Sequence, residues 1–160
     1  MGKIYSTKSP SETKKLGRNL AKKILGSGFQ RKARILCLKG GLGGGKTTFL
    51  QGFAKGLGIS EKILSPTFVI MKRFSVPAGK SRVKRKNFEN FYHIDCYRIE
   101  SPKDILALEF KKIINYPQNI IAIEWAEKIK KILPKDAINI GFEFISSKKR
   151  KIKINGRTKR

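Results

Sequence analysis

Two kinds of apolar pattern alternate along this chain. Apolar residues recur at helical spacing after Ser9 and again from Thr47 to Leu57, which predicts two amphipathic helices. Short apolar runs or alternating stretches elsewhere predict strands at 3–6, 33–39, 91–98, 119–125, 137–145 and 149–154. Residues 65–71 are predicted to form a turn that enters a strand. The run at 119–125 is almost continuously apolar, as expected of a central parallel strand. The order of the elements predicts an α/β fold, a three-layer sandwich around a mostly parallel central sheet with antiparallel edge strands.

Capping residues indicate where helices begin. Ser9 and Ser101 each precede a proline and have an acidic residue three positions later. This combination is typical of a helix N-terminus, because the serine hydroxyl accepts from a free backbone amide and proline suits the first helical position. Two short helices are expected after Ser101, and another over 125–131. Residues 75–90 show no period and are expected to form a loop or a hairpin tip.

The size of the chain suits one domain. Its 160 residues allow a buried core, and a single domain over 1–160 is expected. No apolar run approaches the ~20 residues that a membrane-spanning helix needs, and the N-terminus does not resemble a secretory signal. A cytoplasmic protein without membrane contact is therefore expected. Cys37 and Cys96 lie in apolar stretches and are expected to be small buried residues rather than a disulfide or a metal pair.

The formal net charge of +26 restricts the kinds of partner. Much of it lies in two segments, a basic loop insertion at 75–90 and a basic C-terminal strand and tail at 147–160. Clustered lysines and arginines suit an RNA backbone, where binding is driven by counterion release. The alternative is a lysine-rich protein with solvated charge on every surface, since the first helix is basic too. The charge therefore admits nucleic-acid contact without identifying a target.

The segment from Gly40 to Thr47 indicates the chemistry. It reads Gly-Gly-Leu-Gly-Gly-Gly-Lys-Thr and fits the phosphate-binding loop of nucleotide triphosphatases, Gly-x-x-x-x-Gly-Lys-Thr. Glycines let backbone amides turn toward phosphate oxygens, Lys46 reaches the β- and γ-phosphates, and the Thr47 hydroxyl ligates Mg²⁺. The alternative is a glycine-rich turn that matches by chance. Because a predicted strand and a predicted helix flank the segment in the required order, we expect a P-loop NTPase-like fold.

Glu124 is the first of two acidic candidates at predicted strand ends. It follows an apolar run, and ligands in such sheets bind outside the carboxyl ends of the strands. A nucleotide triphosphatase needs an acid near its metal, and this position suits that role. The alternative is a carboxylate on the rim of the site. Trp125, the next residue, is placed beside the site, either in packing or in stacking on the base.

Asp95 is the second acidic candidate. The two-residue period of a strand places it on one face with His93 and Tyr97, and such a polar group is costly to bury without a purpose. The alternative for Asp95 is a structural ion pair to Arg98 or Lys46. For the histidine, a hydrogen-bonding neighbour is the preferred interpretation over a general base.

Four motifs in order carry a resemblance to a known family. They are Gly-x-Leu-Gly-x-Gly-Lys-Thr-Thr-Phe from Gly40, Ser-Pro-Thr-Phe from Ser65, His-x-Asp-x-Tyr-Arg from His93 and Ile-Glu-Trp from Ile123. Each motif is short, but their order and spacing are specific. The chain resembles the bacterial TsaE family, also called YjeE, small ATPases of the tRNA threonylcarbamoyladenosine pathway.

The resemblance implies ATP and Mg²⁺ as cofactors. The phosphates would be held by the loop and the residues after it, namely Gly40, Gly43, Gly44, Gly45, Lys46, Thr47 and Thr48. Thr47 and Glu124 would bind Mg²⁺, and the catalytic residues would be Lys46, Glu124 and Asp95, the last by positioning water near the γ-phosphate. Thr67 would belong to a loop that senses the nucleotide, and Thr13 would approach the adenine.

The resemblance also implies partners. The family acts with a TsaB–TsaD heterodimer that modifies a tRNA adenosine, and its ATPase regulates or resets that complex. We therefore expect a slow, partner-stimulated, Mg²⁺-dependent ATPase, with tRNA contact left open through the basic segments. No residue is obviously placed as an arginine finger, and Arg98 is the in-chain candidate. Two other functions stay open, a small-molecule phosphotransferase and a basic RNA-binding module with a relic phosphate loop.

The loop departs from the family pattern in its glycine content. Gly41 stands where an aspartate is usual, and Gly44 where an alanine is usual. Five glycines among residues 40–45 raise the entropy cost of ordering the loop. Slower hydrolysis, or a less ordered loop without nucleotide, is expected from this composition.

Overall fold

One sheet of seven strands runs through the described part of the chain. A computed structural model describes residues 2–28, 31–65, 69–78 and 88–156. The strands are β1 Lys3–Thr7, β2 Arg34–Lys39, β3 Met71–Ser75, β4 Asn90–Asp95, β5 Asn119–Glu124, β6 Ile138–Phe144 and β7 Arg150–Asn155. The helices are α1 Pro10–Leu25, α2 Lys46–Gly56, α3 Pro102–Leu106 and α4 Phe110–Asn115, with a 3₁₀ helix over Ala126–Ile132.

The sheet has a parallel centre and antiparallel edges. Its strand order is β1-β7-β6-β2-β5-β4-β3. The inner strands β6, β2, β5 and β4 are parallel, whereas β3 and β7 run antiparallel to their inner neighbours and β1 runs antiparallel to β7. Every residue of β5 is buried, which explains its continuous apolar sequence. The predicted α/β architecture with antiparallel edge strands is confirmed.

Helices cover both faces of this sheet. The helices α1 and α2 pack on one face, in a core that includes Phe49 and Phe53. On the other face α3, α4 and the 3₁₀ helix pack around Phe110, Ile121 and Ile123. Full burial of each such side chain contributes about 1.5–3 kcal/mol, so the two cores hold the central strands in a rigid frame.

The helix α1 approaches α2 closely, and this places the N-terminus of α1 beside the loop that precedes α2. A methyl group on Gly52 of α2 would lie 2.0 Å from the backbone oxygen of Lys14, so the helices can meet here only because this side chain is absent. Ser9 caps α1 as predicted, since its hydroxyl accepts from the backbone amide of Glu12 at 3.1 Å. The capping predicted at Ser101 is also confirmed.

Strand boundaries differ from the prediction on the β3–β4 side of the sheet. The turn predicted over 65–71 was expected to enter a strand, and the strand observed there, β3, begins at Met71. Residues 66–68 lie outside the described residues. The strand β4 ends at Asp95, so Tyr97 lies beyond the strand, and the prediction that Tyr97 and Asp95 share a strand face is wrong. The physical reason is local, because the Asp95 carboxylate accepts from the Tyr97 backbone amide at 2.9 Å and favours a turn over a longer strand.

The two basic segments lie only partly within the described residues. Of the predicted loop at 75–90, residues 79–87 lie outside them. Residues 150–155 form β7, which pairs antiparallel with β6 as expected, but the edge strand on this side of the sheet is β1 and not β7. Residues 157–160 lie outside the described residues. The predictions for those stretches therefore stay predictions.

The apolar segments of the chain form its core. Cys37 and Cys96 are buried and not joined in a disulfide, as predicted. Burial raises the pKa of Cys37 to about 11 and that of Cys96 to about 12.

Within the described ranges, no helix combines the length and apolar composition needed to cross a membrane.

Candidate functional site

Three neighbouring parallel strands end at one edge of the sheet, and each supplies part of the site. The strand β2 leads into the glycine loop at 40–45 and then into α2. The strands β4 and β5 end at Asp95 and Glu124, which are directly opposite in the register. Glu124 is also opposite Leu38 of β2. Because the ladder of hydrogen bonds sets this register, the loop and both carboxylates converge although they are far apart in sequence.

The glycine loop presents the positive end of α2. Gly45 precedes the helix with a φ of 98°, a left-handed conformation that favours glycine, and no described side chain caps the helix. First-turn amides have no intrahelical partner and carry partial positive charge. The first turn of α2 contains no acidic residue that would compete for them. The arrangement therefore suits phosphate oxygens.

Lys46, the first residue of α2, lies against the loop. It is only 5% exposed, and its Nζ donates to the carbonyl oxygens of Gly40 and Gly41, the latter at 2.9 Å. The same atom lies 4.3 Å from the ring centre of Trp125. Burial lowers the pKa of Lys46, and nearby carboxylates, Glu124 foremost, oppose that shift. An ammonium group in such a desolvated site attracts an anion more strongly than in water.

Glu124 is a buried carboxylate beside the start of α2. It is 3% exposed, and the Thr47 hydroxyl lies 3.2 and 3.4 Å from its two oxygens. The Nε2 atom of His93, itself buried, lies 2.9 Å from Glu124 Oε1. Because a buried charge is costly unless it is paired, both neighbours stabilise the carboxylate. Glu124 thus lies within the site rather than on its rim, and the histidine lies behind it as a hydrogen-bonding neighbour.

Asp95 places a second carboxylate in the site. The hydroxyl of Ser65 donates to its Oδ2 at 3.0 Å, and the backbone amide of Tyr97 donates to its Oδ1. Among the described residues Asp95 forms no ion pair, so the structural pair that the sequence left open is not observed there. Ser65 begins the Ser-Pro-Thr-Phe motif that contains Thr67, and Thr67 lies outside the described residues.

A cleft of about 410 Å³ brings these groups together. Its lining includes most of the predicted site residues, namely Thr13, Gly43, Gly44, Gly45, Lys46, Thr47, Thr48, Asp95 and Glu124. Gly40 does not line the cleft. A methyl group there would lie 2.4 Å from the backbone oxygen of Phe142, so this glycine lets the loop approach β6. Thr13 reaches the cleft from α1, and its hydroxyl lies 2.8 Å from that of Thr7.

Trp125, expected beside the site, lines the cleft, and Arg150 also lines it but was not singled out from the sequence. Trp125 has a φ of 56°, which is rare for a bulky side chain, and its ring centre lies 5.1 Å from that of Tyr97. Arg150 lines the cleft from β7, whereas Arg98, the arginine considered from the sequence, does not. A signal for Arg150 existed, because it is in phase with the buried Ile152 along an alternating strand.

The donor set in the cleft fits Mg²⁺. The Thr47 hydroxyl and the Glu124 carboxylate are adjacent oxygen donors, which this cation prefers. Mg²⁺ is usually held by one or two carboxylates together with substrate phosphates. Across the described ranges, no group of three or more histidine, cysteine, aspartate or glutamate side chains is placed to hold a metal ion. The protein groups would therefore hold Mg²⁺ jointly with phosphate oxygens.

Comparison with known proteins connects this geometry to one family. The family model described as threonylcarbamoyl adenosine biosynthesis protein TsaE matches residues 7–152. The tRNA threonylcarbamoyladenosine biosynthesis protein TsaE of Bacillus subtilis is 34% identical over 136 residues, covering 85% of this chain and 74% of that protein. The protein of the same name from Rickettsia conorii is 34% identical over 148 residues, covering 92% of this chain and 74% of that protein. The crystal structure of Bacillus subtilis YdiB superposes with a TM-score of 0.67 at 27% identity, covering 96% of this chain and 84% of that one.

Proposed function

The chain belongs to the TsaE family, and on that premise we propose that it is an ATP-binding, slowly ATP-hydrolysing accessory protein of tRNA threonylcarbamoyladenosine biosynthesis. ATP and Mg²⁺ are its cofactors, and it regulates or resets a TsaB–TsaD heterodimer in the cytoplasm. One observation carries the proposal. The uncapped start of α2, the buried Lys46, the Thr47–Glu124 pair and Asp95 all meet in one cleft.

Binding of the triphosphate rests on groups that are already in place. The first-turn amides of α2 face the phosphates, and the Lys46 ammonium neutralises charge that develops on them as the γ-phosphoryl group leaves. Thr47 and Glu124 would hold Mg²⁺, which would supply positive charge against the developing negative charge of the triphosphate. Little covalent chemistry is required of the protein, so position and electrostatics account for its part in catalysis.

Asp95 is the group proposed to orient the attacking water. Both of its oxygens accept hydrogen bonds, from Ser65 and from the Tyr97 amide, which restricts rotation of the carboxylate. A restrained acceptor orients a water molecule better than a freely rotating one. The bond to Ser65 also connects the carboxylate to the segment that contains Thr67, which is proposed to sense the nucleotide.

The rim of the cleft supports the proposed partner contact. Leu42 and Tyr97 line the cleft and are 74% and 45% exposed, and Leu64, beside Ser65, is 61% exposed. Exposed apolar side chains that gather at one place are typical of an interaction site. We propose that the TsaB–TsaD heterodimer covers this rim, so that the nucleotide controls its binding.

The test combines turnover with partner binding. Purified protein is assayed for Mg²⁺-dependent phosphate release from ATP, alone and with the TsaB–TsaD heterodimer, in parallel with Lys46→Ala. The heterodimer is also captured with and without ATP. We expect slow turnover that the heterodimer stimulates, ATP-dependent capture, and loss of turnover in Lys46→Ala. Near-normal turnover in that variant would reject the site assignment.

The same experiments separate the alternative functions. A defined phosphorylated acceptor among the products would instead indicate a phosphotransferase. Salt-sensitive tRNA binding that survives Lys46→Ala, without ATP turnover in the wild type, would indicate an RNA-binding module.

A further inference from the structure

Arg150 connects the β6–β7 hairpin to the glycine loop. It is the first residue of β7, directly after a tight turn in which the Lys149 amide donates to the Ser146 carbonyl at 3.2 Å. Like Ile152, it lies on the face of the sheet that α1 and α2 cover. Its side chain therefore extends toward the loop and α2, whereas Lys151 and Lys153 lie on the opposite face.

The contacts of Arg150 cross a long sequence separation. Its Nε donates to the carbonyl oxygen of Gly43 at 2.9 Å, across 107 residues. Its Nη1 donates to the carbonyl oxygens of Ser146 at 2.6 Å and Lys149 at 3.1 Å, within its own hairpin. The guanidinium also lies 4.5 Å from the ring centre of Phe144. The side chain is thus held by the hairpin while it binds the loop.

The bond to Gly43 restrains one peptide group at both of its ends. The carbonyl of the Gly43–Gly44 peptide accepts from Arg150, and the amide of the same peptide donates to the Gly41 carbonyl at 3.2 Å. A peptide group is planar, so holding both ends sets the direction in which the chain continues. The chain continues from this peptide directly into Gly45 and the first-turn amides of α2.

The restraint matters because of the composition of the loop. Five of the six residues at 40–45 are glycines, which lose the most conformational freedom when they become ordered. In a free chain of this kind, the entropy lost on ordering would weaken ligand binding. A charged donor that holds the loop in advance reduces that cost, and hydrogen bonds to charged groups are the stronger ones.

We infer that Arg150 is a positioning residue of the nucleotide site, which holds the glycine loop in its phosphate-accepting shape before the nucleotide arrives. The inference rests on the proposed function only for its effect on ATP. Its effect on the free loop is independent of any ligand. Arg150 thereby restricts the conformations of the loop, as residues other than glycine within the loop would.

Three variants and a matched control test this inference. Arg150→Ala and Arg150→Gln remove the charged donor. Arg150→Lys retains the positive charge but replaces the planar guanidinium, with its several N–H donors, by a single ammonium group. Lys153→Gln removes one positive charge from the same strand on the opposite face. Hydrogen–deuterium exchange of residues 41–48 is measured in the free proteins, with the β2 amides as the internal reference for global stability. ATP affinity and turnover at saturating ATP are measured in parallel.

We expect faster exchange in the loop, by about fivefold or more, in Arg150→Ala and Arg150→Gln, with β2 unchanged. ATP affinity should weaken about tenfold while saturated turnover stays within about threefold. Arg150→Lys should recover part of both effects, and Lys153→Gln should match the wild type.

Several outcomes would overturn the inference. Unchanged loop exchange in both neutral variants would do so, even if affinity fell, because Arg150 would then act on the nucleotide directly. If Lys153→Gln weakened ATP affinity as much as the Arg150 variants do, the loss would be explained by the net positive charge alone and not by the contact with Gly43. If the wild type itself bound no ATP, the proposed function would fail, while the exchange data would still decide whether Arg150 orders the loop.

Discussion

Replacing Glu124 with glutamine removes one buried charge from the site and changes the side chain little in shape. The amide oxygen can still accept from the Thr47 hydroxyl, and the amide group can donate to the imidazole of His93 if the latter changes tautomer. Both hydrogen-bonding neighbours therefore keep a partner. We expect the fold to be retained, with a melting temperature close to that of the wild type.

The magnitude of the functional loss is set by burial. Two unit charges about 4 Å apart interact by about 1 kcal/mol in water and about 4 kcal/mol at an effective dielectric constant of about 20. Glu124 is 3% exposed and lies 3.2 Å from the Thr47 hydroxyl proposed to share the metal, so the larger figure applies. A loss of about 4 kcal/mol corresponds to about 10³-fold in rate. Glu124→Gln should therefore lower Mg²⁺-dependent turnover about 10³-fold.

The assay is phosphate release over a range of Mg²⁺ concentrations, with ATP affinity measured separately in the presence of EDTA. Affinity without the metal should change little, because the carboxylate acts through the cation. Glu127→Gln is the matched control, since Glu127 is an exposed carboxylate near Lys46 that does not line the cleft. Glu124 does not hold the metal as proposed if Glu124→Gln retains more than about a tenth of the wild-type rate, or if the control variant loses as much.

Three further predictions test other parts of the site and the core. Asp95→Ala should lower turnover about 10²-fold with ATP affinity nearly unchanged; kinetics and nucleotide titration check this, and equal losses in both would make Asp95 a binding residue. A methyl group at Gly41 would meet open space, and this residue has no positive φ, so Gly41→Ala should tighten ATP binding about 2–5-fold by restricting the free loop. Gly45 has a φ of 98°, so Gly45→Ala should weaken ATP binding. The reverse order of affinities in a nucleotide titration would contradict this explanation. Because burial raises the pKa of Cys37 and Cys96, few thiolates form at pH 8, and a thiol reagent should modify neither cysteine until the protein unfolds; a fast-reacting thiol in the native protein would count against the buried positions.

The position of Glu124 was predictable because its signal is local. It follows an apolar run that is typical of a strand buried on both faces, and the carboxyl end of such a strand lies at the ligand edge of the sheet. The glycine loop was predictable for the same reason, since its motif lies between a strand and a helix. The strand order was not predictable, and neither was the register that sets Asp95 directly opposite Glu124. That pairing is a contact between distant segments and leaves no periodic trace.

Other features depend on tertiary contacts that compete with local preference. The positive φ of Trp125 is unfavourable for a bulky residue, and it is held by packing against Tyr97 and by the Lys46 ammonium over its ring. The extent of β4 was overestimated for a different and local reason, because the Asp95 side chain accepts from the Tyr97 amide and favours a turn. Arg150 was in phase with the buried positions of its strand, but only the fold shows that the glycine loop lies on that side.

The site has a rigid part, the carboxylates at the strand ends, and a part that must be ordered, the loop at 40–45. Variants in the two parts are therefore expected to change different kinetic quantities. Asp95 and Glu124 end neighbouring strands, and the hydrogen bonds between these strands fix the spacing of the two carboxylates. Replacing either residue should therefore lower the rate of hydrolysis and leave the contacts with the phosphates intact. The loop at 40–45 has almost no side chains to hold it and depends on contacts from outside, from Arg150 and from β6. Changes there alter how much ordering the nucleotide must drive, which affects affinity rather than saturated rate. A loop variant that lowered the saturated rate alone, or an acid variant that lowered affinity alone, would show that the two parts are not separable in this way.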